Sequence, residues 1–599
     1  MGTDGGPCRE QDSDPCLFWL GSSDGGFRFG VRSCYPDGAR PFPNNRIGDG
    51  PYRASCKPGK GSRPPQLRGF GGSAAVNLLT QNHISIRSIT GERHRLSLAA
   101  LLVEMSNDRV ADFPLLRPHQ VPAWHIFLVQ LATLALLEIA DGATAPETAE
   151  QWVAALRRLT PAFPDDEPWC LAVDDWTRPA FLQAPVVSES DRTDFKRTYS
   201  SPDALDVLLT GRNHDVKGSR MKSASPEEWL YALLTLQTTE GFLGQGNYGI
   251  ARMNGGFASR PMLRCTPRLL GLGGQVFRDV YTLLEKQDQL THRAQELRIG
   301  IREPVQRLLW LSPWNGAASL TLEHFHPLCI EVCRRVRLRQ VGEALSAVSA
   351  GSRVARVDAS GANGVVADPW IPIKLDGNKS FTVTSRGLGY RQIVELLDPK
   401  HYARPLLAQP TKAEQRSGAA LMLRATALAR GQGKTEGFHD RVVELPPSTA
   451  TRFSAADTQF SDRAARFVQM AGDVAGKALR PALIQLVQGK EDLDWKKPSN
   501  EALTDPWLKT FDARVDQFFF PALAATFEDA MDDEAAELVF SQTLVSHANA
   551  VFAQAADASP RSDQLRVIAK ARAELMLDRG LRKQLPLIAI TQEALDDAR

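Results

Sequence analysis

The sequence lacks an excess of charge of either sign. Its 599 residues include 71 Lys and Arg and 69 Asp and Glu, which gives a formal net charge of +2 at pH 7. A protein that relies on its overall charge to bind a polyanion carries a clear basic excess. The composition therefore argues neither for nor against a nucleic-acid partner, and any polyanion site must be local.

Long apolar runs are also missing. The longest, around Ile126 to Ile139, is interrupted by Gln130 and Glu138, whereas a membrane-spanning helix needs about 20 predominantly apolar residues. The first residues do not combine a charged region with an apolar core, as a secretory signal does. With 43% hydrophobic residues and a mean hydropathy of −0.26, the chain is expected to be a soluble, cytoplasmic protein with no membrane partner.

Cysteine is sparse, and none of the eight cysteines stands in a C-x-x-C pair. Cys329 and Cys333 lie four residues apart in an apolar stretch, but no second close pair completes a zinc tetrad. A buried pair of thiols is the commoner explanation for this spacing. We expect free cysteines in a reducing compartment and no metal site.

Signatures of catalysis are absent as well. The sequence contains neither the H-E-x-x-H helix of zinc proteases nor the G-x-S-x-G turn of hydrolases. His214-Asp215 and His439-Asp440 are neighbours in sequence, but both pairs lie in polar, loop-like segments without further ligand residues nearby. We therefore expect no catalytic residue, no metal and no cofactor.

The N-terminal segment is rich in residues that break helices and strands. Residues 1–72 hold 15 Gly and 9 Pro. We expect residues 1–73 to lie outside the fold, either as a mis-called start or as a disordered leader. Beyond them, the patterns predict short strands over residues 76–79 and 84–89, and helices over residues 96–105, 121–139 and 226–239.

Two structural regions are predicted after this segment. Residues 74–447 mix helical and strand patterns, which indicates an α+β domain. After Pro446-Pro447 the pattern becomes helical, and the predicted helices cover residues 454–489, 508–530, 533–557 and 561–585, with a loop at residues 498–506. Four antiparallel helices of similar length form a bundle, so residues 448–599 are predicted to be a C-terminal four-helix bundle.

A glycine-rich segment, residues 241–256, contains six glycines. Within it Gly244, Gln245, Gly246, Asn247, Tyr248 and Gly249 match the G-x-G-x-x-G dinucleotide fingerprint, but that motif follows a strand and opens a helix, unlike this segment. One alternative is a tight structural turn. The other is a loop whose small side chains expose backbone groups to a ligand, flanked by Arg252 and Arg260, which would meet phosphates.

Residues 430–435 contain a second pair of glycines and end in Gly-Lys-Thr, as a phosphate-binding P-loop does. Residue 428, where the first glycine of that motif would stand, is Leu. The segment is either a basic β-turn at the surface or a rigid loop that presents Gln432 between Gly431 and Gly433, beside Lys434. A planar glutamine on such a loop can insert into a duplex while the lysine contacts phosphate.

Two further segments are rich in cationic groups. Residues 210–220 form either a solvated loop or a nucleic-acid contact, for which the candidates are Arg212, Asn213, His214 and Lys217. A later stretch alternates in part at strand spacing and would form a basic sheet edge unless its side chains are simply solvated. Its members are Arg334, Arg335, Arg337 and Arg339.

Several segments, taken in order, resemble a known family. They are Asn77-Leu78-Leu79-Thr80, Leu116-Arg117-Pro118-His119-Gln120, Pro179-Ala180-Phe181-Leu182-Gln183, residues 241–256 and Arg430-Gly431-Gln432-Gly433-Lys434-Thr435-Glu436-Gly437. No single motif is specific, but their order and spacing are. Over residues 77–599 the chain resembles the large subunit of the type I-E CRISPR Cascade surveillance complex, the CasA family.

The resemblance implies a non-catalytic subunit that recognises a protospacer-adjacent motif in double-stranded DNA. It further implies that the subunit starts strand separation for R-loop formation and helps recruit a helicase-nuclease. The implied partners are therefore the double-stranded target DNA, the crRNA, the other Cascade subunits and the recruited helicase-nuclease.

Three site elements are implied by the same resemblance. Residues 244–249 resemble a glycine loop that approaches the motif from the minor groove by its backbone, although Gln245 and Asn247 interrupt its glycines. Gln432 resembles a wedge that parts the strands. Residues 209–217, around Asn213 and His214, resemble a loop that docks onto the crRNA and the backbone subunit. A nucleotide- or metal-dependent DNA-processing enzyme and a plain scaffold remain as alternatives.

Overall fold

The computed structural model describes eight stretches of the chain: residues 76–139, 144–206, 224–253, 258–342, 344–431, 434–454, 458–559 and 562–588. All of them belong to one compact unit, Gly72–Arg599. The expected leader, residues 1–73, lies outside the described residues.

Most strands of the described residues are short, and β15 and β16 are the longest. The strands are β1 Ile84–Ser88, β2 Arg93–Leu96, β3 Val110–Asp112, β4 Arg197–Tyr199, β5 Met262–Pro267, β6 Gln306–Leu308, β7 Leu320–Thr321, β8 Phe325–Ile330, β9 Arg335–Val341, β10 Ala344–Ala350, β11 Val357–Asp358, β12 Ile373–Lys374, β13 Lys379–Ser380, β14 Tyr402–Ala403, β15 Leu421–Gly431 and β16 Lys434–Leu445. They form antiparallel sheets in the orders β2-β1-β3, β4-β10-β9, β13-β12-β14 and β16-β15-β5, with parallel pairs β7-β11 and β6-β8.

Helices alternate with these strands and then follow one another without strands between them. In the first part they are α1 Leu98–Ser106, α2 Val121–Leu137, α3 Ala149–Arg158, α4 Glu189–Thr193, α5 Pro226–Thr239, α6 Leu272–Glu285, α7 Gln287–Glu296, α8 Tyr390–Leu397, α9 Lys412–Ser417 and α10 Pro447–Ser454. After residue 457 they are α11 Thr458–Asp473, the π-helical turn Val474–Leu479, α12 Arg480–Gln488, α13 Ser499–Glu528, α14 Asp533–Asp557 and α15 Asp563–Gln584. The fold is a mixture of helix and sheet with a helical C-terminal region, as predicted.

The first hydrophobic core surrounds α2. Contrary to the expectation that no apolar run is long enough, the segment Pro118–Leu137 could cross a membrane by length and composition, but 89% of its most apolar window is buried inside the protein. The buried amide of Gln130 on this helix donates from Nε2 to the carbonyl oxygens of Leu328 and Cys329, both at 3.2 Å. Because this polar group is satisfied and the apolar face is covered, α2 is the core helix of this part of the fold.

The second hydrophobic core joins the C-terminal helices to the sheet that holds β15 and β16. Leu423 and Val443 of that sheet are buried in the same cluster as Phe467 of α11 and Phe540 of α14. The two phenylalanine rings stack with centroids 4.0 Å apart and an angle of 6° between their planes. Elements on both sides of residue 447 contribute to this core, and the division of the chain at residue 447 stays a prediction.

Two expected elements differ from the structure. Residues 76–79 do not form a strand, because the Asn77 side chain accepts a hydrogen bond from the Leu79 N–H at 2.9 Å and turns the chain. The expected loop at residues 498–506 is also wrong, since α13 begins at Ser499 and continues through Pro506. Thr504 and Phe511 on this helix are fully buried, and their packing outweighs the cost of a helix-interior proline, about 3 kcal/mol.

Candidate nucleic-acid interface

The glycine-rich segment is closed at its base. Helix α5 ends at Thr239, and Glu240 leaves the helix with an extended backbone, φ −67° and ψ 133°. The Ile250 N–H then donates to the Glu240 carbonyl at 3.0 Å. At Gly249 an added Cβ would lie 2.5 Å from the carbonyl carbon of Gly241, so the two arms of the loop cross at a distance that only glycine permits.

The tip of this loop is a tight turn built from backbone groups. The Leu243 N–H donates to the Asn247 carbonyl and the Asn247 N–H to the Gly244 carbonyl, both at 2.9 Å. Gly244 and Gly246 have φ values of +105° and +82°, which glycine adopts without steric cost. Gln245 between them is exposed. No helix follows the loop before residue 254, so its context differs from that of a dinucleotide fingerprint, as expected.

A second loop supports this tip. The Ser352 N–H donates to the Gly246 carbonyl at 3.2 Å. The Arg353 N–H in turn donates to the Gly316 carbonyl at 2.7 Å, while the Arg353 side chain is exposed. Arg353 is therefore an exposed cation next to the glycine loop, and no sequence pattern indicated it because the two segments are about a hundred residues apart.

The Gly-Lys-Thr segment forms the end of a β-hairpin. Strands β15 and β16 pair from Leu421 with Leu445 to Gly431 with Lys434, with a bulge between Ala429 and Arg430. A P-loop joins a strand to a helix, so this hairpin is not one. Gln432 and Gly433, the two connecting residues, lie outside the described residues, as does the side chain of Lys434.

The base of the glycine loop meets the hairpin near its connecting end. Glu240 is fully buried, and its Oε1 forms an ion pair with the guanidinium of Arg430 on β15. Arg334 approaches the other carboxylate oxygen at 3.7 Å. The Ser259 N–H also donates to the Leu428 carbonyl at 3.3 Å. The structure therefore brings together two of the three predicted site elements, which are separated by more than 180 residues in the sequence.

Arg252 and Arg260 do not face solvent, which corrects the expectation that they meet phosphates. Both are buried, with 1% and 5% of their surface exposed. Arg252 forms ion pairs with Glu331 and Asp368, and Arg260 lies 2.5 Å from the same Asp368. Burial lowers the pKa of Arg260 to about 10. These arginines anchor the chain on either side of residues 254–257 and are not available to DNA.

The second arginine stretch is mostly buried as well, and does not form a basic sheet edge. Arg337 on β9 is fully buried, donates to the carbonyl of Arg178 at 3.1 Å and lies 5.7 Å from the Trp176 ring centroid. Arg335 donates to the Gly351 carbonyl at 3.0 Å, which steadies the loop that supports the glycine loop. Arg339 alone of the four is exposed, and its guanidinium lies 4.7 Å from a ring centroid of Trp176.

The predicted docking loop lies outside the described residues, including Arg212, Asn213, His214 and Lys217. The last described residue before it is Asp206, which is buried. This carboxylate accepts from Arg117 Nη1 at 3.1 Å and from Gln120 Nε2 at 3.1 Å, and lies 2.7 Å from His119 Nε2. The Leu-Arg-Pro-His-Gln motif therefore holds the residue from which the predicted docking loop departs.

The Pro-Ala-Phe-Leu-Gln motif has a structural role in this fold. Gln183 is fully buried, and its Nε2 donates to the carbonyls of Leu171 and Phe181 at 2.8 and 2.9 Å. Its Oε1 accepts from the Leu338 N–H at 2.6 Å. One glutamine thus ties a loop to strand β9.

The described acidic, histidine and cysteine side chains were compared with the geometry of a metal site. In the part of the chain that the structure describes, no three of them are placed to hold a metal ion. The described cysteines, Cys170, Cys265, Cys329 and Cys333, are free and buried.

Comparison with protein families identifies the chain. The family model described as CRISPR-associated protein Cse1 matches residues 77–558. The chain belongs to the Cse1 family. Its match begins at Asn77, the first residue of the Asn-Leu-Leu-Thr motif, and a solved structure from Thermus thermophilus carries both names, CasA and Cse1. The resemblance to the CasA family is therefore confirmed.

Solved structures share the fold of this Cse1-family chain. CasA from Thermus thermophilus is 14% identical, with a TM-score of 0.59 over 85% of this chain and 100% of that one. Cse1 from Thermobifida fusca is 15% identical, with a TM-score of 0.58 over 86% of this chain and 98% of that one. Cse1 from Acidimicrobium ferrooxidans is 15% identical, with a TM-score of 0.57 over 86% and 100%. No curated protein matches the chain.

Proposed function

We propose that this Cse1-family chain is the non-catalytic large subunit of a CRISPR RNA-guided surveillance complex of type I-E. In this role it recognises a protospacer-adjacent motif in double-stranded DNA, starts strand separation for R-loop formation and helps recruit a helicase-nuclease. It works in the cytoplasm with crRNA and the other Cascade subunits. Membership of the Cse1 family supports the assignment to a surveillance complex. One structural observation supports the proposed mechanism: buried Glu240 joins the base of the glycine loop to the hairpin that ends in Gln432.

Recognition of the motif begins at the glycine loop. The minor groove presents a degenerate pattern of acceptors and one donor, and a tip made of glycine backbone can come close to it. Gly244 and Gly246 provide that close approach. The few side chains of the tip that can contact the groove are those of Gln245, Asn247 and Tyr248. The exposed Arg353 beside the tip is placed to contact a phosphate or the groove. Such a reader recognises a short and permissive motif.

Strand separation follows at the hairpin. Gln432, held between Gly431 and Gly433, inserts beside the motif and takes the place of a stacked base, and Lys434 contacts the phosphate backbone. Unstacking a base step costs a few kcal/mol, which these contacts offset until the guide pairs with the target strand. The guide then carries the sequence specificity, so the subunit itself needs to open only the first steps.

Assembly with the rest of the complex uses the docking loop. Arg212, Asn213, His214 and Lys217 contact the crRNA and the backbone subunit, and Asp206 fixes the stem from which they depart. A near-neutral subunit suits this arrangement, because most phosphate contacts then belong to its partners.

The test is a selection on duplexes with randomised flanking sequence. Complexes reconstituted with and without this subunit are incubated with a library in which the positions beside the guide-matched target are random, and bound DNA is sequenced. We expect a short motif to be enriched only when the subunit is present. Equal enrichment in its absence would contradict the proposal, and enrichment of no motif in either complex would favour a plain scaffold.

A further inference from the structure

A buried cluster of charges lies between the two proposed DNA-contacting loops. We call Glu240, Arg334 and Arg430 the Glu240 cluster. The Glu240 side chain is fully buried, and those of Arg334 and Arg430 are 8% and 7% exposed. Each member belongs to a different element: the end of α5, the segment before β9, and β15.

The contacts of the cluster fix both loops at once. Arg430 pairs with Oε1 of Glu240, and Ser259 Oγ lies 3.4 Å from the same oxygen. Arg334 donates from Nη2 to the carbonyl of Gly241, the first residue of the glycine-rich segment, at 3.1 Å. One carboxylate therefore connects the base of the glycine loop with a strand residue two positions before Gln432.

A bulge in β16 lies directly opposite this part of β15. Ala429 pairs with Gly437 and Arg430 pairs with Thr435, which leaves Glu436 of β16 as the extra residue, and such a bulge interrupts the ladder and increases the local twist. Arg430, whose guanidinium reaches Glu240, therefore lies at the point where the hairpin twist changes.

A buried ion pair is well suited to fixing geometry. Its net contribution to stability is small compared with apolar packing, but leaving one partner unpaired in the interior is strongly unfavourable. The distance between the two chain segments that it joins is therefore held within narrow limits. Successive base pairs are about 3.4 Å apart along a duplex, so a hairpin displaced by that distance would insert at a different step.

We propose that Glu240 is a positioning residue that sets the spacing between the glycine loop and the hairpin, so that motif recognition and strand opening occur at a fixed separation on the DNA. This inference rests on the proposed function. Glu240 does not contact DNA in this account. It acts through Arg430 and Arg334.

The experiment compares Glu240→Gln with the unchanged protein in the reconstituted complex. The probe is a duplex carrying the flanking motif that the unchanged complex selects, and permanganate reactivity of thymines placed at each step reports where the strands open. Glutamine keeps the shape of the side chain but removes its charge. We expect binding of the motif-bearing duplex to be retained, with opening at the first step reduced roughly tenfold or moved by one step. A duplex that is already unpaired at that step should restore guide pairing.

A matched control separates positioning from loss of stability. Glu414 on α9 is a buried glutamate whose Oε1 lies 2.8 Å from Nε of Arg278, with both side chains under 10% exposed, so Glu414→Gln removes a comparable pair elsewhere. It should lower the melting temperature but leave the opening pattern unchanged. If Glu240→Gln and Glu414→Gln reduce opening equally, the effect is loss of stability and the inference is overturned.

The pair itself is tested by a double-variant cycle. If Glu240 acts through Arg430, adding Arg430→Met to Glu240→Gln should reduce opening no further, whereas additive losses would overturn the inference. Arg430→Lys is the milder variant and keeps the experiment decisive if Glu240→Gln does not fold.

Should the unchanged complex fail to open motif-bearing DNA, the proposed function fails. Should it open DNA and Glu240→Gln open the same steps equally well, only the positioning role fails.

Discussion

The glycines of the glycine loop differ in the physical reason for their presence. At Gly249 the limit is space, because any Cβ would collide with the backbone of Gly241. At Gly244 there is no atom within 4 Å of an added Cβ, and the limit is the backbone angle, φ +105°. A side chain at Gly244 therefore leaves the protein able to fold but changes the conformation and bulk of the tip.

This difference leads to a prediction for Gly244→Ala. Its positive φ should cost about 1–2 kcal/mol of folding free energy, and the added methyl group should weaken the approach of the tip to the groove. Gly377→Ala is the control, because Gly377 has φ +82° and also has no atom within 4 Å of an added Cβ.

Thermal unfolding should report similar destabilisation for both variants, whereas gel-shift titration with motif-bearing duplex should report weaker binding for Gly244→Ala alone. Equal affinity of the two variants would count against the glycine loop as the reader of the motif.

Buried arginines are the residues whose roles were hardest to predict from the sequence. A single sequence does not distinguish buried arginines, such as Arg252, Arg260 and Arg337, from exposed arginines that contact phosphate. It does not reveal whether a carboxylate such as Asp368 lies nearby in space. Their partners are distant in the chain, so only the fold identifies them. Arg353, which is exposed at the site, carried no sequence signal for the same reason.

At the scale of elements, strong local sequence patterns predicted the secondary structure reliably. Helix α5 was predicted with its observed bounds, and Ser225 caps it in a reciprocal arrangement with Glu228. The hairpin β15-β16 was not predicted as paired strands. Its residues, such as Arg424 and Asp440, pair across the strands by a bidentate contact at 2.9 and 2.6 Å, and such cross-strand partners are invisible to a local pattern.

The stem of the predicted docking loop gives an element-scale prediction. Asp206→Ala removes the acceptor shared by Arg117, His119 and Gln120, and we expect about 3 kcal/mol of destabilisation from the buried partners that it leaves unpaired. Because the stem then loses its anchor, the affinity of the subunit for the rest of the complex, measured by titration against the subcomplex of crRNA and other subunits, should fall.

Asp203→Ala is the matched variant for this test. Asp203 pairs with Arg117 at 2.5 Å but makes no described contact with His119 or Gln120, so its effect on assembly should be smaller. Unchanged assembly of the Asp206→Ala variant, together with a lowered melting temperature, would assign the motif to stability alone.

At the scale of the molecule, the near-neutral charge of +2 agrees with the proposal that the subunit contacts DNA at a few loops, and the two main hydrophobic cores hold those loops in one unit. The mixed fold class and helices such as α5 could be predicted from the sequence, because helical periodicity and proline positions are local properties. The meeting of the glycine loop with the hairpin could not, since it depends on Glu240 and Arg430, which are distant in the chain and buried.

The most direct test of the central claim measures strand opening by the Gln432→Ala complex. At DNA concentrations that saturate both complexes, permanganate reactivity of the thymines beside the motif is compared between the variant and the unchanged complex, with initial binding followed by footprinting.

We predict that the variant binds motif-bearing duplex nearly as tightly but opens it much less, and that a pre-opened duplex restores guide pairing. Equal losses of binding and opening, or unchanged opening, would contradict the account.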